Sequence, residues 1–300
     1  VLLKFGNFSL NYTNPNYFKK MKILFVFLLM TSVSFVYANP NQKTLDRSEN
    51  YIFKETSSTD LKLYVFKPEN WNASQENPAI VFYFGGGWNS RNLPQFVAFA
   101  QYYSSKGYVC FIPNYRVRST DNSQAIDSVS DAQDAFAFVR KNAKKFGINP
   151  NKIAASGGSS GGHLAASLGT LKDEKNKELS KPNALILFNP ACVIDPKNNP
   201  RKIQRLGVSG NEISPYHNID NTVPPTIIYH GTEDSIVSFK TADMFHQKML
   251  AAGNDCTLIP FEGREHGFFN HGKHLPDSDY RKSLNYTDQF LSRIGWMNIE

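Results

Sequence analysis

From residue 61 to residue 294, apolar and polar positions fall into two alternating rhythms. Leu61 to Phe66 alternates with a period of two, which predicts a strand at a sheet edge. Ala79 to Phe84 and Tyr108 to Ile112 are unbroken apolar runs, as strands covered on both faces require. Between them, Phe96 to Ser105 carries aromatics at helical spacing and stops at Gly107. Ser128 to Phe146 predicts a long amphipathic helix, with Val129, Ala132, Ala135, Phe136 and Val139 on one face and Gly147 just past its end. The rhythm continues with a strand over Ile153 to Ser156 and a helix over Leu164 to Leu171. Strands follow over Ala184 to Phe188 and Thr226 to Tyr229, then a helix over Phe239 to Ala252, a strand over Thr257 to Phe261 and a helix over Tyr280 to Ile294. Strands that alternate with helices in this way predict right-handed βαβ units: an α/β fold, a mostly parallel sheet with helices on both faces. Residues 39–60 are polar and aperiodic and read as a loose lead-in. Residues 190–225 are proline-rich and also aperiodic, which suits a small cap, an insertion over a site or an irregular connection.

The N-terminus has a different character. Lys19, Lys20 and Lys22 precede a 14-residue apolar run, Ile23 to Val36, and Val36-Tyr37-Ala38 closes it with small residues. A basic start, a short apolar core and a small-residue exit describe a secretory signal over 21–38. The run is short for a bilayer span, which disfavours the rival reading of a membrane anchor. Residues 1–20 read as an upstream extension and residues 39–300 as one domain, secreted or periplasmic, with no stable membrane span after signal removal. Four lysines of the net +7 lie before residue 39 with no acid among them, leaving +3 for the rest. That balance argues against a nucleic-acid partner. The three cysteines, 110, 192 and 256, lie in apolar runs without a CxxC, so neither a disulfide framework nor a cysteine-rich zinc site is expected.

The chemistry concentrates at Gly157-Gly158-Ser159-Ser160-Gly161-Gly162-His163, where a predicted strand runs into a predicted helix. A serine at such a turn needs small residues two before and two after it, and two frames satisfy this: Ser159 between Gly157 and Gly161, or Ser160 between Gly158 and Gly162. No lysine stands where a phosphate-binding loop needs one. Phe84-Gly85-Gly86-Gly87-Trp88 ends an earlier strand, and its glycines let backbone N–H groups approach an oxyanion. A serine nucleophile needs a base and the base an orienting carboxylate. His266 and Asp234 lie in loops after the last two predicted strands, in the chain order Ser, Asp, His, with Glu233 and Glu265 as rival acids. His163, along the helix, reads as structural. His271 and His274 with Asp277 are too weakly spaced for a metal site, and neither a metal nor a cofactor is expected.

Together, Tyr83 to Trp88, Asn114-Tyr115-Arg116, Phe146 to Pro150, the serine turn, His230-Gly231-Thr232 and His266 to Phe269 make the chain resemble the α/β-hydrolase superfamily. The resemblance is to its hormone-sensitive-lipase-like esterases and to secreted carbohydrate acetyl esterases among them. Their Ser-Ala-Gly-Gly turn falls on Ser159 to Gly162, which implies Ser159 as nucleophile. It also implies Gly86, Gly87 and Ser160 as backbone oxyanion donors. The family usually has His before the three glycines; here it is Phe84, so a side chain that would hold that loop is missing. The expected activity is hydrolysis of short-chain, acetyl-like esters, with a small-molecule or carbohydrate ester as partner. Trp88, Tyr216 and Phe268 are candidates to contact substrate, and Tyr115 reads as packing. A prolyl-oligopeptidase-like peptidase and a non-catalytic hydrolase-fold binding protein are the alternatives.

Overall fold

The computed structural model describes residues 40–57, 59–194, 206–273 and 276–298. The signal at 21–38, the extension before it, Pro196, Pro200 and His274 lie outside the described residues.

The strands are Glu49–Glu55 (β1), Asp60–Phe66 (β2), Asn77–Tyr83 (β3), Val109–Pro113 (β4), Ile148–Gly158 (β5), Ala184–Phe188 (β6), Thr226–Gly231 (β7) and Cys256–Phe261 (β8). They form one sheet in the order β1-β2-β4-β3-β5-β6-β7-β8. β2 runs antiparallel to both β1 and β4, and every pairing from β4 to β8 is parallel. The longer helices are Pro40–Arg47 (α1), Val97–Ser105 (α2), Ala125–Lys141 (α3), Ser160–Thr170 (α4), Phe239–Ala251 (α5) and Ser278–Arg293 (α6). The unbroken apolar runs are the central strands: every residue of β4, β6 and β7 is buried, as two covered faces demand.

Three expectations are corrected. Residues 39–60 are not a loose lead-in, because α1 and β1 lie there, and β2 is therefore not the edge strand. β1 lacks an apolar rhythm because it is the edge and mostly exposed or half-buried; its ladder to β2 and an ion-pair network hold it instead. Lys54 of β1 reaches Asp131 at 2.6 Å and Asp134 at 2.8 Å on α3. Asp131 is fully buried and also receives a two-pronged contact from Arg116, at 2.8 and 2.9 Å, so the carboxylate is well partnered away from water. The long helix expected over 128–146 is α3 plus a separate turn, Ala143–Phe146, with the break at Asn142.

Among residues 190–225, the described part folds back beside α4. Gly210–Ile213 forms a short helix and Pro215–Asn218 a 3₁₀ turn. Ser214 stitches them to the segment after β6, its hydroxyl donating to the Cys192 carbonyl at 3.3 Å and accepting the Ile194 N–H at 3.1 Å. No helix among the described residues is long and apolar enough to cross a membrane.

Candidate active site

Ser159 stands between β5 and α4 with φ 56° and ψ −119°, a backbone conformation that L-residues seldom adopt. Its N–H donates to the Phe188 carbonyl at the end of β6, 2.9 Å away, and the next turn of α4 closes on its own carbonyl. The flanking glycines are a steric necessity. A Cβ on Gly157 would meet the Gly161 carbonyl at 2.3 Å, and one on Gly161 would meet the Tyr83 carbonyl at 2.0 Å. The Ser159 hydroxyl does not cap the helix it opens, so its lone pairs are not spent on α4. Ser160, by contrast, is buried.

The loop after β3 lies directly against this turn: a Cβ on Gly85 would sit 3.3 Å from the Ser159 Cβ. The three expected oxyanion donors are not equivalent. The Gly87 N–H donates to the Ser160 hydroxyl at 2.9 Å, so in this arrangement it holds the loop and is not a free donor. The Gly86 N–H and the Ser160 N–H, which opens α4, are not taken up in this way.

The loops after β7 and β8 bring the imidazole and the carboxylate together. His266 Nδ1 lies 2.7 Å from Asp234 Oδ2. The other carboxylate oxygen of Asp234 accepts the N–H groups of Ile236 at 2.9 Å and Val237 at 2.8 Å. His230, fully buried at the end of β7, shares its Nε2 between the Val237 carbonyl at 2.7 Å and Asp234 at 3.4 Å. Burial works against ionisation of Asp234, but the hydrogen bonds from His230, His266 and the Val237 N–H outweigh it. They hold the carboxyl well below the usual carboxylate range. The rival acids are placed elsewhere: Glu265 binds the Ser235 hydroxyl and N–H at 2.9 and 3.2 Å, and Glu233 is exposed. Gly231 is required because its Cα comes under the Arg264 carbonyl, where a Cβ would stand 2.1 Å away.

Two contacts bind the histidine loop to the serine turn. Phe269 packs its ring edge so close to Gly158 that a Cβ there would lie 2.6 Å away. The Gly267 N–H donates to Asn189 Oδ1 at 3.0 Å, and Asn189 directly follows the Phe188 whose carbonyl takes the Ser159 N–H. Asn189 is buried at φ 34°. No sequence motif marked it.

The aromatic candidates divide. Phe268 is corrected: it is 1% exposed and packs on Phe261 with ring centroids 4.3 Å apart, so it belongs to the core and does not face a substrate. Tyr115 is buried, in keeping with packing. Trp88 is half-buried at φ 56°, and its indole N–H points to His163 Nδ1 at 3.3 Å. Tyr216 is half-buried with the Lys248 ammonium 4.6 Å from its ring centre. His163 is fully buried, binds the Ile213 carbonyl at 2.6 Å through Nε2, and so joins Trp88 to the segment beside α4. His271 contacts Asp277 at 3.4 Å, and no group of three metal-ligating side chains occurs among the described residues.

A BD-FAE family model matches residues 63–199, and the prolyl oligopeptidase family model matches residues 202–293. An acetylxylan esterase of Xylanibacter ruminicola is 28% identical over 79% of this chain and 48% of its own length. Esterase LipC of Mycobacterium tuberculosis is 24% identical over 64% of this chain and 53% of its own. This chain thus spans about half the length of the curated relatives it matches. Thermogutta terrifontis esterase 2, solved in its apo form, is 41% identical with a TM-score of 0.82, covering 85% of this chain and 98% of that one. The same protein has been solved with propionate bound, at 40% identity and a TM-score of 0.80, and phosphonylated by sarin, at 39% and 0.82.

Proposed function

The chain belongs to the α/β-hydrolase esterase family, and from that footing we propose that it is a serine carboxylic-ester hydrolase acting on short acyl esters by Ser159–His266–Asp234 acyl transfer. The observation that carries the reading is the 2.7 Å contact of His266 Nδ1 with a carboxylate held ionised, in a loop packed against the strained serine turn.

The carboxylate fixes the Nδ1–H tautomer, which leaves Nε2 as the base. His266 takes the Ser159 proton as the hydroxyl attacks the ester carbonyl. The tetrahedral oxyanion is met by the N–H groups of Gly86 and Ser160, close to the N-terminus of α4, whose dipole favours negative charge. His266 then gives the proton to the leaving alcohol, the acyl-enzyme forms, and water repeats the cycle to release acid. Asp234 stabilises the imidazolium and stays ionised throughout.

A short acyl chain is supported by the propionate found on the Thermogutta terrifontis relative, and the sarin adduct on that protein fits an activated nucleophile. The acetylxylan esterase among the relatives supports an acetylated carbohydrate as the natural substrate. Secretion, argued from residues 21–38, suits a polymeric substrate outside the cell. The match of residues 202–293 to the prolyl oligopeptidase family keeps a peptidase as the second reading.

The test is hydrolysis of p-nitrophenyl esters from acetate to decanoate beside acetylated xylan and a Pro-p-nitroanilide, with wild type and Ser159→Ala. Preference for acetate to butyrate, abolished in Ser159→Ala, is the expected result. Activity that survives in Ser159→Ala refutes the nucleophile, and cleavage of the anilide alone installs the peptidase.

A further inference from the structure

We infer that Gln95 and Asn270 form a positioning bridge that sets the oxyanion loop against the loop of the catalytic histidine. Three hydrogen bonds build it. The Gly85 N–H donates to Gln95 Oε1 at 2.6 Å. Gln95 Nε2 donates to Asn270 Oδ1 at 3.0 Å. Asn270 Nδ2 donates to the carbonyl of Gly267, next to His266, at 2.9 Å. The amide polarities agree along the whole chain, each oxygen accepting and each NH₂ donating, so no member is left with a mismatched partner.

The bridge crosses the serine turn. A Cβ on Gly158 would stand 3.5 Å from Gln95 Nε2, and one on Gly85 would stand 3.5 Å from Gln95 Oε1. Gln95 belongs to the 3₁₀ turn Leu93–Phe96, whose Leu93 and Phe96 are buried, so its backbone is fixed from below. Asn270 is set by the turn at Gly267, which has φ 73°. Both side chains are half-buried, with neither charged nor aromatic character.

The bridge acts mainly on the oxyanion side. The histidine loop has clamps of its own, Asn189 on Gly267 and Asp234 on His266. At the start of the glycine run, Gly85 has only Gln95 as acceptor for its N–H. Gly86, the free oxyanion donor, follows it directly. Breaking the bridge lets the Gly86 N–H drift from where the oxyanion forms while the base stays in place. A donor misplaced in this way costs transition-state stabilisation far more than substrate binding.

This inference rests on the esterase reading above, and the experiment separates the two. Gln95→Met, Asn270→Ala and the double variant are compared with wild type in kcat, KM and thermal midpoint on p-nitrophenyl acetate. Each single variant is expected to lose kcat roughly 10-fold with KM within about twofold. The double variant is expected within about twofold of the worse single, because either change breaks the same chain. Folded single variants with wild-type kcat, or losses that multiply in the double, overturn the bridge. If Gln95→Met fails to fold, Asn270→Ala alone carries the kcat test. A wild type silent toward every ester overturns the esterase reading instead.

Discussion

The ring of Phe84 stacks on Tyr115 with centroids 4.1 Å apart and planes 12° from parallel, while the Tyr115 hydroxyl donates to the carbonyl of Phe84 itself at 2.5 Å. The Ser160 Oγ, at the start of α4, accepts the Gly87 N–H at 2.9 Å. Residue 84 thus holds its loop through ring stacking and its own backbone. Tyr115→Phe keeps the stack and removes the hydroxyl, leaving the Phe84 carbonyl short of a partner in a fully buried place. It should cost about 1–3 kcal/mol in urea unfolding and lower kcat several-fold with KM little changed. Unaltered stability and kcat would mean that the loop does not depend on this contact.

Asp234→Asn tests the carboxylate's work. An amide can offer its NH₂ to His266 Nδ1 and so place the ring proton on Nε2, where the base is needed. kcat should fall about 10³- to 10⁴-fold while the fold survives. The pH dependence of stability follows from the lowered carboxyl. Its contribution is full above the ordinary value of 3.8 and is lost as the pH falls below that toward the folded-state value. The wild-type advantage over Asp234→Asn in thermal midpoint should therefore narrow below about pH 4. A gap that stays constant down to pH 2.5 would contradict it.

Two glycines separate crowding from backbone strain. A methyl on Gly161 would stand 2.0 Å from the Tyr83 carbonyl and 2.3 Å from that of Phe84, both backbone atoms that cannot step aside. Gly161→Ala should cost more than about 3 kcal/mol or prevent folding. Gly263, in the loop carrying His266, has φ 66° but nothing within 4 Å of where a Cβ would be. Gly263→Ala should cost only the left-handed strain, about 1–2 kcal/mol. Equal effects in chemical denaturation would sink the distinction.

The parts of the candidate site that the proposed chemistry dictates were legible in the chain. A serine between glycines, an aspartate after one strand and a histidine after the next are residue types that the proposed reaction could not exchange. The core strands were legible for a similar reason, since burial on both faces permits little besides apolar residues. Residues 49–55 were not, because an edge strand is held by its ladder and by Lys54, and neither leaves an apolar rhythm. Phe268 was misread because periodicity is silent in a loop about which way a ring turns. Gln95, Asn189 and Asn270 are amides whose role lies in where they meet.

Buried His163 should weaken the fold in mild acid. It is fully buried, with Nε2 at the Ile213 carbonyl and Nδ1 accepting from Trp88, which requires the neutral ring. Burial pushes its imidazole from 6.5 down to about 4, and the Ile213 carbonyl opposes that without overcoming it. The unfolded chain therefore takes up a proton that the folded chain refuses. Stability owed to His163 is full above pH 6.5 and is lost between there and about pH 4, by up to about 1.4 kcal/mol per pH unit. This window lies above the one set by Asp234, so the two can be read apart. His163→Gln offers a donor and an acceptor but does not titrate. It should be less stable than wild type at pH 7.5 and lose less stability than wild type between pH 6.5 and 4.5. Parallel stability curves for the two proteins across that window would show that proton uptake at residue 163 does not limit the fold.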